Sequence, residues 1–289
     1  MHSISNNIIS IKVGSKGAEL QSLCNEQHKL EYMWNGDPSY WAKKSPVLFP
    51  IVGGLKGNTF NYKGKDYQLN RHGFARDNDF ELAERTGTSL TLSLKSNAQT
   101  KRSYPFDFLF SIKYTLEQNK LLITFIVENT GDKNILFSVG AHPAFAVPLI
   151  KGSNYEDYYL EFSESEDAGR WPLSNEGLIE NEAIPFLQNQ AKLQLKKELF
   201  YKDAIVFKNL KSTSVSLISD KTSHGVKVEF KGFPYMGIWA AKDADFVCIE
   251  PWCGIADSLN ASGNLEDKEG IQSLVPQEQF ERSYSIEVF

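Results

Sequence analysis

Two residues of this chain stand where an acid and a base could work. His142 lies in Gly140-Ala141-His142-Pro143-Ala144-Phe145, between small residues and a proline, directly after an apolar strand expected at Ile135–Val139. An imidazole with an ordinary pKa of about 6.5 keeps both protonation forms available near neutral pH, which suits proton transfer. A buried structural histidine is the competing reading. Glu250 lies in Cys248-Ile249-Glu250-Pro251-Trp252, a carboxylate in an otherwise apolar stretch. Such a group must be paired, hydrogen-bonded or shifted in pKa, so a structural ion pair competes with a base. Trp239 and Trp252 lie on either side of it in sequence. Aromatic rings beside a carboxylate suit the apolar face and hydroxyl edge of a sugar ring, and serve a core equally well.

Two more segments could hold a polar ligand. In His72-Gly73-Phe74-Ala75-Arg76, Gly73 admits an unusual backbone angle or a close ligand approach, and Arg76 offers planar donors for paired hydroxyl oxygens. A surface turn with a solvated arginine accounts for the same residues. Asp203, in Phe200-Tyr201-Lys202-Asp203-Ala204-Ile205-Val206-Phe207, stands before a strand and could accept hydrogen bonds from hydroxyls. Asp before a strand is also a common turn residue.

Period-two alternation defines the elements that must position these groups. Leu90, Leu92 and Leu94 alternate with Thr91, Ser93 and Lys95, and Phe108, Phe110, Ile112, Tyr114 and Leu116 alternate with Leu109, Ser111, Lys113 and Thr115. These read as half-buried strands. Leu121–Val127 is apolar on both faces and follows the turn-like Glu117-Gln118-Asn119-Lys120, which predicts an antiparallel hairpin. Alternation returns at Val226, Val228, Phe230 and at Tyr284, Ile286, Val288. Turn signals sit at residues 62–65, 129–132 and 231–234. Helical patterning is confined to a short turn expected within Asp157–Leu187 or Gln188–Leu199, so a βαβ alternation is unsupported. Without a repeat or a dividing linker, the pattern predicts an all-β protein: one large antiparallel β-sandwich domain over residues 1–289.

Composition narrows the function. Net charge is −5, with 31 basic and 36 acidic residues interspersed, so no basic footprint for nucleic acid is present. Apolar stretches are short and broken, and residues 1–7 lack a basic region followed by an apolar core; neither a membrane partner nor export is expected. The three cysteines, Cys24, Cys248 and Cys253, fit a reducing compartment, and the cytoplasm is the expected location. Neither a zinc-knuckle spacing nor a Gly-rich phosphate loop occurs, so no metal and no cofactor is expected.

Taken together, the segments Pro46-Val47-Leu48-Phe49-Pro50-Ile51-Val52-Gly53-Gly54, HGFAR at 72–76, GAHPAF at 140–145, Asp203 before its strand, and IEPW at 249–252 followed by Gly254-Ile255-Ala256-Asp257 resemble the aldose 1-epimerase superfamily, in its LacX-like branch of galactose-mutarotase relatives. Their order spans most of the chain. The resemblance implies a galactose mutarotase-like supersandwich with an open sugar-binding cleft, His142 as general acid, Glu250 as general base, and His72, Arg76 and Asp203 holding the sugar. One departure matters. Where galactose mutarotases proper carry an arginine in an Asn-Arg-Ile segment, this chain reads Gly53-Gly54-Leu55-Lys56-Gly57-Asn58, and Arg76 is expected to replace that group.

The implied reaction interconverts the α and β anomers of a free aldohexose. A proton leaves the anomeric hydroxyl while another reaches the ring oxygen, so an acid and a base are expected to face each other across the ring, charged as HisH⁺ and Glu⁻. An unphosphorylated sugar is expected. Of the basic residues near HGFAR, Arg76 is assigned to the ring, Arg71 would point away from His72 in an extended segment, and Lys56 lies in a Gly-rich stretch. Rival readings are a hexose-6-phosphate 1-epimerase, a glycoside hydrolase using Asp203 and Glu250, and a non-catalytic carbohydrate-binding sandwich stacking sugar on Trp239 and Trp252. The chain is expected to be a monomer or a weak homodimer with a small-molecule sugar as its partner.

Overall fold

Alternating apolar side chains build a nine-stranded antiparallel sheet, the largest element of the computed structural model, which describes residues 1–289. Its strands run in the spatial order Ile184–Gln194, Tyr158–Arg170, Ser214–Ser219, Thr222–Glu229, Gln279–Val288, Lys120–Asn129, Phe108–Glu117, Ser89–Lys95 and Glu81–Arg85. Leu90, Leu92 and Leu94 are buried as the alternation requires, and so are Phe108, Phe110, Ile112, Tyr114 and Leu116. Glu117 pairs with Lys120, closing the predicted hairpin. Val226 pairs with Val288 and Val228 with Ile286, so apolar side chains meet across the strands and fix the register.

A smaller five-stranded sheet carries the chemistry-bearing residues. Val139–Gly140 and Ala144–Ala146 both pair with Phe246–Cys253, which pairs with Tyr235–Trp239, which in turn pairs with Ile205–Lys208. The two sheets pack face to face through side chains such as Phe207, whose ring lies 6.0 Å from both Phe162 and Phe186 of the larger sheet. Successive side chains leave opposite faces of a strand. Phe207 therefore faces the core, while its neighbour Val206 faces a pocket on the other side. The Pro46–Gly54 segment is anchored beneath that pocket by Phe49, which stacks on Phe110 at 4.3 Å. Burying a phenylalanine of this kind contributes about 1.5–3 kcal/mol relative to leaving it exposed.

The all-β sandwich is as the sequence predicts, with half the chain in strands. Most of the two windows in which a short helical turn is expected, Asp157–Leu187 and Gln188–Leu199, is strand or loop. That region forms the long hairpin Tyr158–Arg170 with Ile184–Gln194, followed by a 3₁₀ turn at Lys197–Phe200, and the single α-helix is Thr100–Ser103. Much of the second strand is exposed, so no apolar face marks its period. Ile135–Val139 is also not one strand. Ile135–Phe137 pairs with Gln272–Leu274, and at Ser138 the chain leaves that pair to enter the five-stranded sheet. No helix is long and apolar enough to cross a membrane, and all three cysteines are free.

Candidate active site

His142 and Glu250 are brought together by strand register. Gly140 pairs with Trp252 and Ala144 with Cys248, and between these pairs Ala141 N–H donates to the Pro251 carbonyl and Ile249 N–H to the Pro143 carbonyl. His142 thus stands opposite Glu250, where side chains on one face touch. Pro143 costs no hydrogen bond here, because only its carbonyl is used. His142 Nε2 lies 3.3 Å from Glu250 Oε2. The two groups are side by side, leaving no room for a sugar ring between them. This corrects the expectation that the two groups face each other with a ring between them.

The pair forms the floor of a pocket of about 570 Å³. His72, Arg76, Asp203, Trp239 and Trp252 all line it, so every residue singled out in the sequence converges there. The two tryptophans differ in setting. Trp252 is buried in a small apolar cluster with Leu48, Val52, Val206 and Ile255 and forms part of the floor. Trp239 is only half-buried and stands in the wall.

Trp41, absent from the sequence reading, completes an aromatic box. Its ring stacks on His142 at 4.9 Å and meets Trp239 edge-on at 5.3 Å, while Trp239 meets His142 edge-on at 5.5 Å. Only its position in the polar run Ser39-Tyr40-Trp41-Ala42-Lys43-Lys44 hinted at a role, since a large aromatic there has no strand face to fill.

Enclosure sets the charge state. Burial pulls the His142 imidazole down to about 3, and the Arg71 and Arg76 charges add to the fall. Burial also pushes the Glu250 carboxyl well above the usual range; Arg71 opposes that rise and Asp203 adds to it. The separated HisH⁺ and Glu⁻ expected from reference values are therefore disfavoured. In this apolar box the pair is held uncharged overall, with one proton between its two groups.

His72 sits at φ +69° and Gly73 at φ +69°, two successive left-handed residues. A side chain at Gly73 would place its Cβ 2.3 Å from the Phe49 carbonyl oxygen, so glycine is required both for the angle and for the close approach. This kink overturns the expectation for Arg71. The segment is not extended, side chains do not alternate through it, and Arg71 turns into the pocket to pair with Asp203 at 3.7 Å. Arg76 reaches the pocket from a 3₁₀ turn, with Nη2 donating to the Arg71 carbonyl at 2.9 Å. Asp203 is fixed from a second side, as Oδ1 accepts the Ala204 N–H at 2.7 Å. Lys56 lies elsewhere, donating to the Leu259 carbonyl. Two lysines that the sequence reading passed over, Lys202 and Lys242, line the exposed rim.

The remaining segments of the resemblance brace the site. The Gly53 N–H donates to His72 Nδ1 at 3.1 Å, and Gly53 presses against Ala256, where a Cβ would fall 2.4 Å from the alanine methyl. Asp257 N–H donates to the Gly54 carbonyl at 2.9 Å. Its carboxylate is held by the buried Lys268 ammonium at 2.7 Å, which also donates to the Ile255 carbonyl. Each charge of that buried pair is satisfied, the condition under which such a pair is tolerated.

The family model for aldose 1-epimerase matches residues 1–287. The chain belongs to the aldose 1-epimerase family. It is 37% identical to the protein LacX, chromosomal, of Lactococcus lactis subsp. lactis, over 99% of this chain and 98% of that one. Among solved structures, a galactose mutarotase related enzyme from Lactobacillus acidophilus superposes with a TM-score of 0.95 at 38% identity, covering 100% of this chain and 97% of the other. A galactose mutarotase-like protein from Lactobacillus casei ATCC 334 superposes at 0.94 with 27% identity, over the whole of both chains.

Proposed function

We propose that this member of the aldose 1-epimerase family is active as a mutarotase, opening and reclosing the ring of a free aldohexose with His142 as acid and Glu250 as base. The observation that carries the reading is the 3.3 Å approach of His142 Nε2 to Glu250 Oε2 at the floor of a polar pocket large enough for one sugar. Glu250 takes the proton of the anomeric hydroxyl while His142 gives one to the ring oxygen. The bond from the anomeric carbon to the ring oxygen breaks and a carbonyl forms. After rotation about the adjacent carbon–carbon bond, closure runs the transfers backwards, and the pair again holds the single proton it began with.

Arg71 opposes the rise at Glu250 and so favours the ion-pair form from which His142 gives and Glu250 takes. His72 and Arg76 are donors toward oxygens on which charge develops, an electrostatic contribution that a preorganised site makes without reorganising. Trp41 and Trp239 offer the apolar face of the sugar a wall. A hydrolase reading is less well supported, because Asp203 is already engaged by Arg71 and the Ala204 N–H, while the group at hydrogen-bonding range of Glu250 is an imidazole.

A second reading concerns the substrate. Lys202 and Lys242 on the rim, with Arg71 and Arg76 inside, are cationic groups that a phosphate ester would use. Arg71, expected to point away, lines the pocket beside Asp203 and is one of these groups. The test is anomer exchange measured by one-dimensional NMR on a panel of aldoses and their 6-phosphates. Catalysed exchange without a change in composition supports the reading, whereas release of a new reducing end from a glycoside, or binding with no exchange of any sugar, overturns it.

A further inference from the structure

Cys248 is a third chemistry-bearing side chain beside the acid–base pair, and the sugar chemistry leaves it unused. It precedes Glu250 by two residues on one strand, so both side chains leave the same face of the sheet. The residue opposite Cys248 is Ala144, two residues from His142 on the neighbouring strand. One ligand-capable atom from each of His142, Cys248 and Glu250 lies within 4.8 Å of the other two. All three residues are buried, and His142 Nδ1 has no hydrogen-bond partner.

An imidazole, a thiol and a carboxyl group converging beneath an open pocket form a donor set of a particular kind. A sulfur ligand with imidazole and carboxylate suits zinc and its neighbours, whereas magnesium and calcium take oxygen ligands almost exclusively. Three protein ligands with the fourth direction open is an arrangement that such ions accept. We propose that His142, Cys248 and Glu250 form a capture site for a thiophilic divalent cation of the zinc class, and that an ion seated there switches the sugar chemistry off.

The charges balance. A dication held by one thiolate, one carboxylate and a neutral imidazole is neutral overall, as burial among Trp41, Trp239 and Ala144 demands. On binding, the thiol proton and the proton held by the His142–Glu250 pair leave to solvent, and no electron is transferred. Bonds of about 2.0–2.3 Å place tetrahedral donors about 3.3–3.7 Å apart, so atoms that lie within 4.8 Å of one another draw in by up to about 1.5 Å. The ion then occupies the lone pairs that the acid and the base need. Inhibition rests on the acid–base reading given above; binding does not.

The experiment uses the full, untagged chain, stripped with a chelator and exchanged into chelator-free buffer. Zinc binding is followed by calorimetry, cobalt binding by the sulfur-to-cobalt charge-transfer absorption, and anomer exchange by NMR on the same samples. The proposal expects one ion per chain, a charge-transfer band, and anomer exchange that falls about tenfold or more with zinc and returns with EDTA. Cys248→Ala and Cys248→Ser should both lose the band, bind zinc about tenfold or more weakly, and keep their metal-free exchange. Absence of one-to-one binding overturns the site, and so does a band or a zinc response that survives in both folded variants, which would assign it to Cys24, Cys253 or the surface. One-to-one binding with the band in a chain that exchanges the anomers of no sugar would uphold the site and remove the mutarotase reading instead.

Discussion

The backbone N–H of Gly53 donates to His72 Nδ1 at 3.1 Å, and this one contact fixes the imidazole as the neutral tautomer with its proton on Nε2. Burial first, then the charges of His142, Arg71 and Arg76, hold His72 well below its ordinary pKa. The sign for stability follows. Below about pH 6.5 the unfolded chain takes up a proton that the folded site refuses, so stability falls with pH at up to about 1.4 kcal/mol per pH unit from this group. His72→Asn keeps an acceptor near the Nδ1 position and removes the titration. Urea unfolding of both proteins between about pH 7 and 5 should give a shallower slope for the variant; equal slopes would assign the acid sensitivity elsewhere.

Glu250→Gln and His142→Asn should each cut anomer exchange by about 10²-fold or more, since each keeps size and deletes one proton transfer. Both should stay folded. The native pair is already uncharged overall, so neither change strands a buried charge, which is the event that makes breaking an ion pair costly. Exchange spectroscopy alongside thermal melts checks both halves, and near wild-type exchange in either folded variant would remove that residue from its role.

The pH profile of catalysed exchange should lack the inflection near 6.5 that a solvent-exposed histidine gives. The reason is that the competent pair holds one proton. A second proton arrives only near the depressed value of about 3 for His142. The last one leaves only above the raised range of Glu250. Rates corrected for uncatalysed mutarotation test this, and a step near 6.5 would show that the free enzyme leaves His142 hydrated.

Gly73→Ala should destabilise the chain by about 1–3 kcal/mol from the left-handed angle, with more from the contact at 2.3 Å to the Phe49 carbonyl. Activity should fall further than stability, because the two loops that the kink joins hold His72, Arg71 and Gly53. A variant with wild-type melting temperature and exchange would mean that the 46–54 segment can move aside freely.

Legibility in the sequence followed burial. Strands with one face in the core announced themselves, as at Leu90–Leu94, Phe108–Leu116 and Tyr284–Val288, because period two is written only where alternate residues leave water. The hairpin of Tyr158–Arg170 with Ile184–Gln194 is not legible in the sequence, because much of its outer strand is exposed and carries no such pattern. The candidate residues stand out by type and by resemblance, but their meeting in one pocket does not, since the register that sets His142 opposite Glu250 joins segments remote in sequence. Arg71 was misplaced for a local reason. An alternation argument assumes extended backbone, and two left-handed residues at 72 and 73 break it. Trp41 belongs to no periodic element, and only the folded chain places it on His142.

A phosphate-bearing substrate would meet the two lysines at the rim. Lys202 and Lys242 are exposed, one beside Asp203 in sequence and the other just after the strand that carries Trp239, and neither is needed to build the floor. Inside, Arg71 is paired with Asp203 and Arg76 is bonded to a backbone carbonyl, so both have donors already committed. If the natural substrate is an uncharged hexose, Lys202→Ala combined with Lys242→Ala should change KM for glucose or galactose little, because solvated rim charges contribute about 1 kcal/mol or less. The same double change should also leave any weak exchange of glucose 6-phosphate as weak as before. If instead the substrate carries a phosphate, the wild type should prefer glucose 6-phosphate at equal concentration, and the double variant should raise KM for that ester about tenfold with kcat almost unmoved, the signature of lost uniform binding. The expected outcome is the first, since no backbone nest or helix N-terminus supports the two lysines, and phosphate sites usually combine several converging donors. A clear preference for the ester that disappears with the lysines would reverse the substrate assignment and leave His142 and Glu250 in place.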